Sequence, residues 1–201
     1  KQSWSAMTSA SPIIMTAKTG LRIETSTSHM IAAASLSKPG VRRHAAPYAD
    51  GLYGARRQGT SQRFVMLGDS LAAGLGAGHV RNTPGAMLAQ GISNVLDQPV
   101  RLMNTATVGA RSADLYGQVD RALHMRPHIA VIIIGANDIT HVGRPQAAVS
   151  HLEEAVRRLR AVGCEVVVGT CPDVGSVQPI PQPLRWVARR LSRQLAAAQM
   201  I

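Results

Sequence analysis

The sequence of 201 residues predicts an α/β fold, a three-layer α/β/α sandwich in which helices cover both faces of a parallel sheet. Short apolar segments alternate with segments of helical periodicity along most of the chain, which is typical of successive strand–helix units. Residues 128–134 include a run of six apolar residues without alternation, as expected for a strand that is buried on both faces. Hydrophobic residues make up 45% of the chain, which is enough for the core of one domain.

The strands are predicted from apolar runs that end at turn residues. Their carboxyl ends matter most, because ligands of parallel sheets bind in the crevice beyond those ends. The loops of interest therefore begin at Gly68, Thr105 and Gly135. The predicted strands are residues 63–67, 100–104, 128–134 and 165–168.

The helices between the strands are predicted from their start signals. Thr83 followed by Pro84 opens the first helix, Ser112 caps the second, and Pro145 begins the third. A last amphipathic helix begins at Pro183 and continues toward the end of the sequence. The four helices supply the two outer layers of the predicted sandwich.

Residue usage divides the chain near residue 45. Residues 1–45 are rich in serine and threonine and contain all the lysines of the chain, Lys1, Lys18 and Lys38, whereas the later cations are arginines. This break predicts a disordered or foreign N-terminal segment, followed by one domain over residues 46–201.

The net charge of +11 raises the question of nucleic-acid binding. Much of that charge lies before residue 60, and the aromatic fraction of 3% argues against a base-stacking surface, so no nucleic acid is expected. No apolar run is long enough to span a membrane, and the compartment stays open. Cys164 and Cys171 lack metal-ligand spacing and are expected to be buried free thiols.

The first loop of interest contains Gly68, Asp69 and Ser70 directly after a predicted strand. The glycine permits a sharp turn that would project Ser70 into the crevice, with the Ser70 N–H at the start of the next segment. A serine in this setting is a candidate nucleophile when a base accepts its proton. The three residues also fit a simpler role, in which Asp69 or Ser70 caps a helix.

The other two loops each contain a candidate donor to an oxyanion. The backbone N–H of Gly109 can approach a ligand closely, and the side-chain amide of Asn137 follows the most apolar strand. Taken singly, Gly109 equally fits an ordinary loop glycine and Asn137 an ordinary turn residue. Their occurrence at neighbouring strand ends, together with Ser70, favours a catalytic site.

The segments FVMLGDSLAAGLG, NTATVGARSADL and IIIGANDIT occur in this order along the chain. They resemble the characteristic blocks of the SGNH/GDSL hydrolases, over residues 50–201. The resemblance implies a flavodoxin-like parallel sheet and a serine esterase or lipase that needs no cofactor or metal. It implies that Ser70 is the nucleophile, and that the N–H groups of Ser70 and Gly109 and the side chain of Asn137 stabilise the oxyanion. The implied substrate is a small-molecule or lipid ester.

The family's remaining block, an Asp-x-x-His element near the C-terminus after a fifth strand, has no counterpart there, and the nearest in form, Asp138 and His141, belongs to the loop after the third predicted strand. The resemblance thus predicts a C-terminally truncated domain with four strands present and the fifth missing, and a weak or inactive esterase. His141, on the loop that carries Asn137, is the alternative base. Loss of an edge strand would also favour self-association through an exposed sheet edge. The other histidines are His29, His44, His79, His124, His128 and His151.

Two functions from other classes stay open. One is a non-catalytic remnant or binding module that keeps the crevice without a base. The other is nucleotide binding on the same sheet topology. Residues 71–78 are glycine-rich but lack the lysine and hydroxyl residues of a phosphate-binding P-loop, which disfavours nucleotide binding.

Overall fold

The computed structural model describes residues 45–140, 145–171 and 184–200, so the predicted N-terminal segment lies almost wholly outside the described residues. In these ranges no helix is both long and apolar enough to cross a bilayer. The strands are β1 (Gly51–Tyr53), β2 (Gln62–Gly68), β3 (Val100–Asn104), β4 (Ile129–Ile133) and β5 (Glu165–Gly169). The helices are α1 (Ser70–Ala73), α2 (Pro84–Leu96), α3 (Leu115–Leu123), α4 (Ala136–Thr140), α5 (Pro145–Ala161) and α6 (Leu184–Ala198).

The described strands form one sheet in the order β1-β3-β2-β4-β5. β3, β2, β4 and β5 are mutually parallel, which confirms the predicted α/β fold and its four parallel strands. β1 is a further strand that was not predicted, and it pairs antiparallel with β3 at one edge. β1 brings the number of described strands to five, and it precedes the parallel strands in the chain. In the family pattern the fifth strand instead follows the last helix.

Side chains of the central strands alternate between two buried layers. On β2, Phe64 and Met66 pack with residues of α1 and α2, whereas Val65 and Leu67 pack with residues of α3 and α5. All four of these side chains have no exposed surface. Burial on both faces explains why the strands lack polar alternation, and it gives the predicted three layers.

The predicted helix starts agree with the structure at the first helix and differ at the second. The Thr83 side chain accepts a hydrogen bond from the first turn of α2, and Pro84 is its first residue. Ser112 does not cap α3, which begins at Leu115 after a single 3-10 turn. The Ser112 hydroxyl instead donates to the Asp138 carboxylate at 3.0 Å, so its partner lies in the short helix α4.

The two cysteines are buried and neither forms a disulfide, as predicted. Cys164 packs in the layer between the sheet and α5, and Cys171 packs near Leu195 of α6. Burial, with a smaller effect of the Glu165 charge, raises the pKa of the Cys164 thiol to about 12. A thiol with this pKa stays protonated at neutral pH and is a poor nucleophile.

Candidate active site

Ser70 lies where β2 turns into α1. Gly68 is the last residue of the strand, Asp69 caps the helix, and the half-buried Ser70 is its first residue. Gly68 has a φ of 137°, and a Cβ there would lie 1.8 Å from the carbonyl oxygen of Ile133. Only glycine fits this close approach to β4, so the sharp turn predicted at Gly68 is present.

Backbone and side-chain hydrogen bonds join the three loops that follow β2, β3 and β4. The Thr107 N–H donates to the Gly68 carbonyl at 3.0 Å, which joins the loop after β3 to the turn before Ser70. The Asn137 amide Nδ2 donates to the Ala110 carbonyl at 2.9 Å, which joins the loop after β4 to the loop after β3. The loops of the predicted site residues are therefore in direct contact at the carboxyl end of the sheet.

Gly109 lies in the exposed part of the loop after β3, with a φ of 85°. A Cβ built on it would meet no atom within 4 Å, so the left-handed backbone, rather than crowding, favours glycine here. The loop borders an open cavity of about 500 Å³. The cavity is lined by Thr107, Val108, Gly109, Ala110, Ala113, Asp114, Tyr116, Gly117, Gln118 and Arg121.

Asp138 holds the loop of Asn137 against the 3-10 turn before α3. The Ser112 N–H donates to both carboxylate oxygens of Asp138 at 3.1 Å, and the Ser112 hydroxyl adds a bond of 3.0 Å. Hydrogen bonds to a carboxylate are stronger than those between neutral groups. Together with the bond from Asn137, they fix the loop after β4 relative to the loop of Gly109.

Asp69 is the buried carboxylate of the site, with 2% of its surface exposed. Its Oδ1 accepts a hydrogen bond of 3.0 Å from the Leu71 N–H, so Asp69 does cap α1, as the simpler interpretation of the sequence held. The pKa of Asp69 is raised to about 6, mainly by desolvation and to a lesser degree by the Asp138 charge, while the Leu71, Ala136 and Gly135 N–H groups act to lower it. Oδ2 is buried without a hydrogen bond of ordinary geometry among the described residues.

Two polar residues that the sequence analysis missed hold the same turn. Asn104, at the end of β3, donates from Nδ2 to the Ala72 carbonyl of α1 at 3.1 Å. Gln118, on α3, bonds both backbone groups of Gly68, at 2.7 and 2.9 Å. A sequence signal existed for Gln118, because it falls on the apolar stripe of α3, where a polar residue needs a buried partner.

Among the described residues, no histidine forms a hydrogen bond with Ser70. No hydrogen bond in this part of the chain involves the Ser70 hydroxyl. His128 begins the β4 segment at the opposite end of the sheet, and its Nδ1 lies 2.9 Å from the Gln62 side chain. Desolvation, with a smaller effect of Arg63, lowers the pKa of His128. His141, the alternative base, lies outside the described residues.

Residues 66–199 match the sequence profile of the GDSL-like lipase/acylhydrolase family. A GDSL-like esterase of Mycobacterium tuberculosis (strain ATCC 25618 / H37Rv) is 41% identical to this chain over 167 residues. The matched part is 77% of this chain and 53% of that protein, so the chain spans about half the length of this relative.

Solved structures of similar fold include TesA, with a TM-score of 0.51 and 24% identity over 69% of this chain and 74% of that chain. A lipolytic protein of the G-D-S-L family from Desulfitobacterium hafniense DCB-2 has a TM-score of 0.51 and 20% identity over 70% and 74% of the two chains. A mutant of the esterase AlinE4 has a TM-score of 0.52 and 20% identity over 71% and 74%. At such identities these structures support the fold alone. With the family profile and the 41% identical esterase, the chain belongs to the GDSL-like lipase/acylhydrolase family, the SGNH hydrolases.

Proposed function

We propose that this domain hydrolyses carboxylic esters of small molecules or lipids, with Ser70 as the nucleophile. The observation that carries the proposal is the position of Ser70 at the turn from β2 to α1, with the loops of Gly109 and Asn137 joined to that turn. The Ser70 oxygen attacks the acyl carbon while its proton passes to a base. The alcohol then leaves with a proton, and water releases the acid from the acyl-enzyme.

The proposal assigns the oxyanion to three donors: the N–H groups of Ser70 and Gly109 and the side chain of Asn137. Each amide of this kind stabilises the negative charge that develops on the carbonyl oxygen during attack. The Asn137 amide carries two N–H groups. Donation from this amide to the Ala110 carbonyl orients the side chain. The open cavity beside Gly109 offers room for a part of the substrate.

The proposal also concerns the rate of this chain, because the one Asp-x-x-His sequence that it contains, Asp138 to His141, follows Asn137 directly and does not match the separate block that supplies the base in the family. A serine hydrolase without its base keeps only the contributions of the oxyanion site and of substrate binding. Those are worth about 1,000- to 10,000-fold over the uncatalysed reaction. We therefore expect slow hydrolysis that depends on Ser70.

A binding module without catalysis is the second candidate. It is favoured by one observation, that no hydrogen bond of the described residues involves the Ser70 hydroxyl. In this role the crevice would hold an ester or acid without turning it over.

The test compares the chain with its Ser70→Ala variant in two assays, hydrolysis of a short-chain aryl ester and labelling by a fluorophosphonate. Slow hydrolysis and labelling that vanish in Ser70→Ala support the esterase. Added imidazole should raise the Ser70-dependent rate if the base is absent, with Ser70→Ala in the same imidazole as the blank. A fast rate that drops in His141→Ala would identify His141 as the base. Equal hydrolysis rates in the unchanged chain and in Ser70→Ala would contradict the esterase and favour the binding module.

A further inference from the structure

Gln118 is an amide side chain in the interior of the domain, with 1% of its surface exposed. It lies on α3, on the face that packs against the sheet, between apolar residues of the same stripe. Glutamine is seldom buried, because a primary amide loses its hydrogen bonds with water unless the protein replaces them. The hydrogen bonds that Gln118 makes therefore indicate why an amide is buried at this position.

Both hydrogen bonds of the Gln118 amide go to one residue. Its Oε1 accepts from the Gly68 N–H at 2.7 Å, and its Nε2 donates to the Gly68 carbonyl at 2.9 Å. The same carbonyl also accepts from the Thr107 N–H. Gly68 is thus held by a bidentate contact from a helix, in addition to the contacts of the sheet.

The position of this contact at the end of β2 explains its form. The parallel ladder between β2 and β3 ends at the pair of Met66 and Asn104, whereas the ladder between β2 and β4 extends to Gly68. On the side facing β3, the Gly68 N–H therefore lies past the last paired residue. The amide of Gln118 replaces the missing strand residue, accepting and donating as a backbone peptide would.

The contact controls the direction in which the chain leaves the strand toward Ser70. On one side Gln118 holds both backbone groups of Gly68, and on the other the Asp69 N–H donates to the Ile133 carbonyl at 3.1 Å. Held from both sides, Gly68 keeps its φ of 137° and places Asp69 and Ser70 in the first turn of α1.

We infer that Gln118 is a positioning residue, which orients Ser70 for attack by clamping the peptide groups of Gly68. The inference rests on the proposed role of Ser70 as the nucleophile. A displacement of a reacting group by about 1 Å costs about 100-fold in rate. Loss of the clamp should therefore lower kcat, or the rate of covalent labelling, while KM changes little.

The main variant is Gln118→Met, which keeps the volume of the side chain and removes both hydrogen bonds. We expect Ser70 labelling by a fluorophosphonate to slow by about 100-fold. Amide hydrogen exchange at Gly68, followed by NMR, should become faster than in the unchanged chain. A folded Gln118→Met that labels at the unchanged rate with the same Gly68 exchange would overturn the inference.

The matched control is Ser93→Ala. Ser93 is buried and donates to the Gln98 carbonyl at 2.7 Å, near the other end of the sheet. Loss of this hydrogen bond should lower the melting temperature. The rate of Ser70 labelling, and amide exchange at Gly68 when compared at equal stability, should stay at the values of the unchanged chain. If Ser93→Ala slowed labelling as much as Gln118→Met, the effect would be one of general stability and the clamp would be refuted.

A second variant, Gln118→Glu, tests the hydrogen bonds separately from the volume. A neutral carboxyl has one donor and one acceptor and can reproduce both bonds to Gly68, whereas a carboxylate has no donor. Asp114 and Arg121 are the charged residues that line the same cavity, and Asp69 titrates near this turn. Rates are therefore taken relative to the unchanged chain at each pH. The labelling rate of Gln118→Glu, relative to that of the unchanged chain, should be higher at pH 5 than at pH 8. A relative rate that is the same at both pH values would count against the clamp.

Failure of the proposed function gives a different result from failure of the clamp. If Ser70 in the unchanged chain does not react with the probe, the esterase proposal fails, and the exchange experiment still decides the inference. Faster exchange at Gly68 in Gln118→Met, but not in Ser93→Ala, supports the clamp of the turn. Unchanged exchange overturns it.

Discussion

The neighbouring strands β2 and β4 end in nearly the same way. Gly68 is the last residue of β2 and has a φ of 137°, and Gly135 lies two residues after β4 and has a φ of 134°. Each glycine is succeeded by a short helix, α1 after β2 and α4 after β4. Ser70 lies at the start of one helix and Asn137 at the start of the other, so the two turns carry two of the proposed site residues.

The two turns differ in what surrounds the glycine. A Cβ on Gly68 would lie 1.8 Å from the Ile133 carbonyl oxygen, which belongs to the backbone of the adjacent strand. For a Cβ on Gly135, the three nearest atoms would all be side-chain atoms at tight distances. Those atoms belong to Cys171, Leu195 and Gln199, at 3.0, 3.1 and 3.2 Å. The turn before Ser70 is thus fixed by backbone, and the turn before Asn137 is packed against side chains that can shift.

Each turn is also contacted by a buried glutamine, and the two glutamines bond to different sets of backbone groups. Gln118 makes both of its bonds to Gly68 alone. Gln199 donates to the Ile134 carbonyl at 3.1 Å and accepts from the Cys171 N–H at 2.7 Å, so it bridges two strand ends. The turn of Ser70 is clamped to a single geometry, whereas the turn of Asn137 depends on how α6 sits against the sheet.

The largest effect is expected for Gly68→Ala. The added methyl collides with the Ile133 carbonyl, and neither β2 nor β4 can move without breaking the sheet. We expect a loss of more than about 4 kcal/mol of unfolding free energy, the range of the most disruptive single substitutions. Urea denaturation followed by circular dichroism measures it. A cooperative transition within about 1 kcal/mol of the unchanged chain would show that the backbone contact is not rigid.

The next effect concerns Asp69, the carboxylate that is buried at the turn before Ser70. Its pKa of about 6 in the folded protein is above the 3.8 of a free carboxyl, so between these values the folded state binds more protons than the unfolded state. The unfolding free energy contributed by this group is therefore greatest at low pH. It falls as the pH rises through 6, by about 3 kcal/mol in total.

The measurement compares urea denaturation of the chain and of Asp69→Asn from pH 4 to 7. Because asparagine does not titrate, the difference in unfolding free energy between the two proteins should shift across this range in favour of Asp69→Asn at the higher pH. A constant difference would mean that the Asp69 carboxyl has an ordinary pKa and that its burial costs little.

The sequence could predict what depends on neighbouring residues, and less of what depends on distant ones. The apolar runs predicted all four parallel strands, and Thr83 with Pro84 predicted the start of α2. Strand β1 was missed because its three residues gain their pairing from β3, about fifty positions away. The partner of Ser112 was missed for the same reason, since Asp138 lies 26 positions later in the chain.

The candidate site shows the same division. Ser70, Gly109 and Asn137 were predicted as site residues because each follows a strand in a recognisable motif. The hydrogen bonds that hold them were not found, because Gln118 and Gly68 are separated by 50 positions and meet only in the folded sheet. A buried amide on an apolar helix face signals that a partner exists without naming it.

A smaller effect is expected for Gly135→Ala, although its backbone is almost the same as that of Gly68. The methyl is opposed by the side chains of Cys171, Leu195 and Gln199, each of which can give by a few tenths of an ångström. Overpacking and a left-handed backbone together suggest a loss of about 2 kcal/mol. Thermal denaturation side by side with Gly68→Ala gives the comparison. Equal losses in the two variants would remove the distinction between a backbone-fixed and a side-chain-packed turn.

The smallest effect is expected for Gly109→Ala, in the loop between these two turns. No atom lies within 4 Å of the added Cβ, so the cost comes only from the φ of 85°, which is worth about 1 kcal/mol. The N–H of residue 109 is retained in alanine. If the loop keeps its conformation, Ser70-dependent hydrolysis should therefore fall by less than about tenfold, in proportion to that strain. Val108→Ala, at the exposed neighbouring position, is the control for loss of cavity lining without a change of backbone. A loss in Gly109→Ala of about 3 kcal/mol or more would place this loop with the rigid turn of Gly68, and would mean that its contacts, rather than its backbone conformation, require glycine.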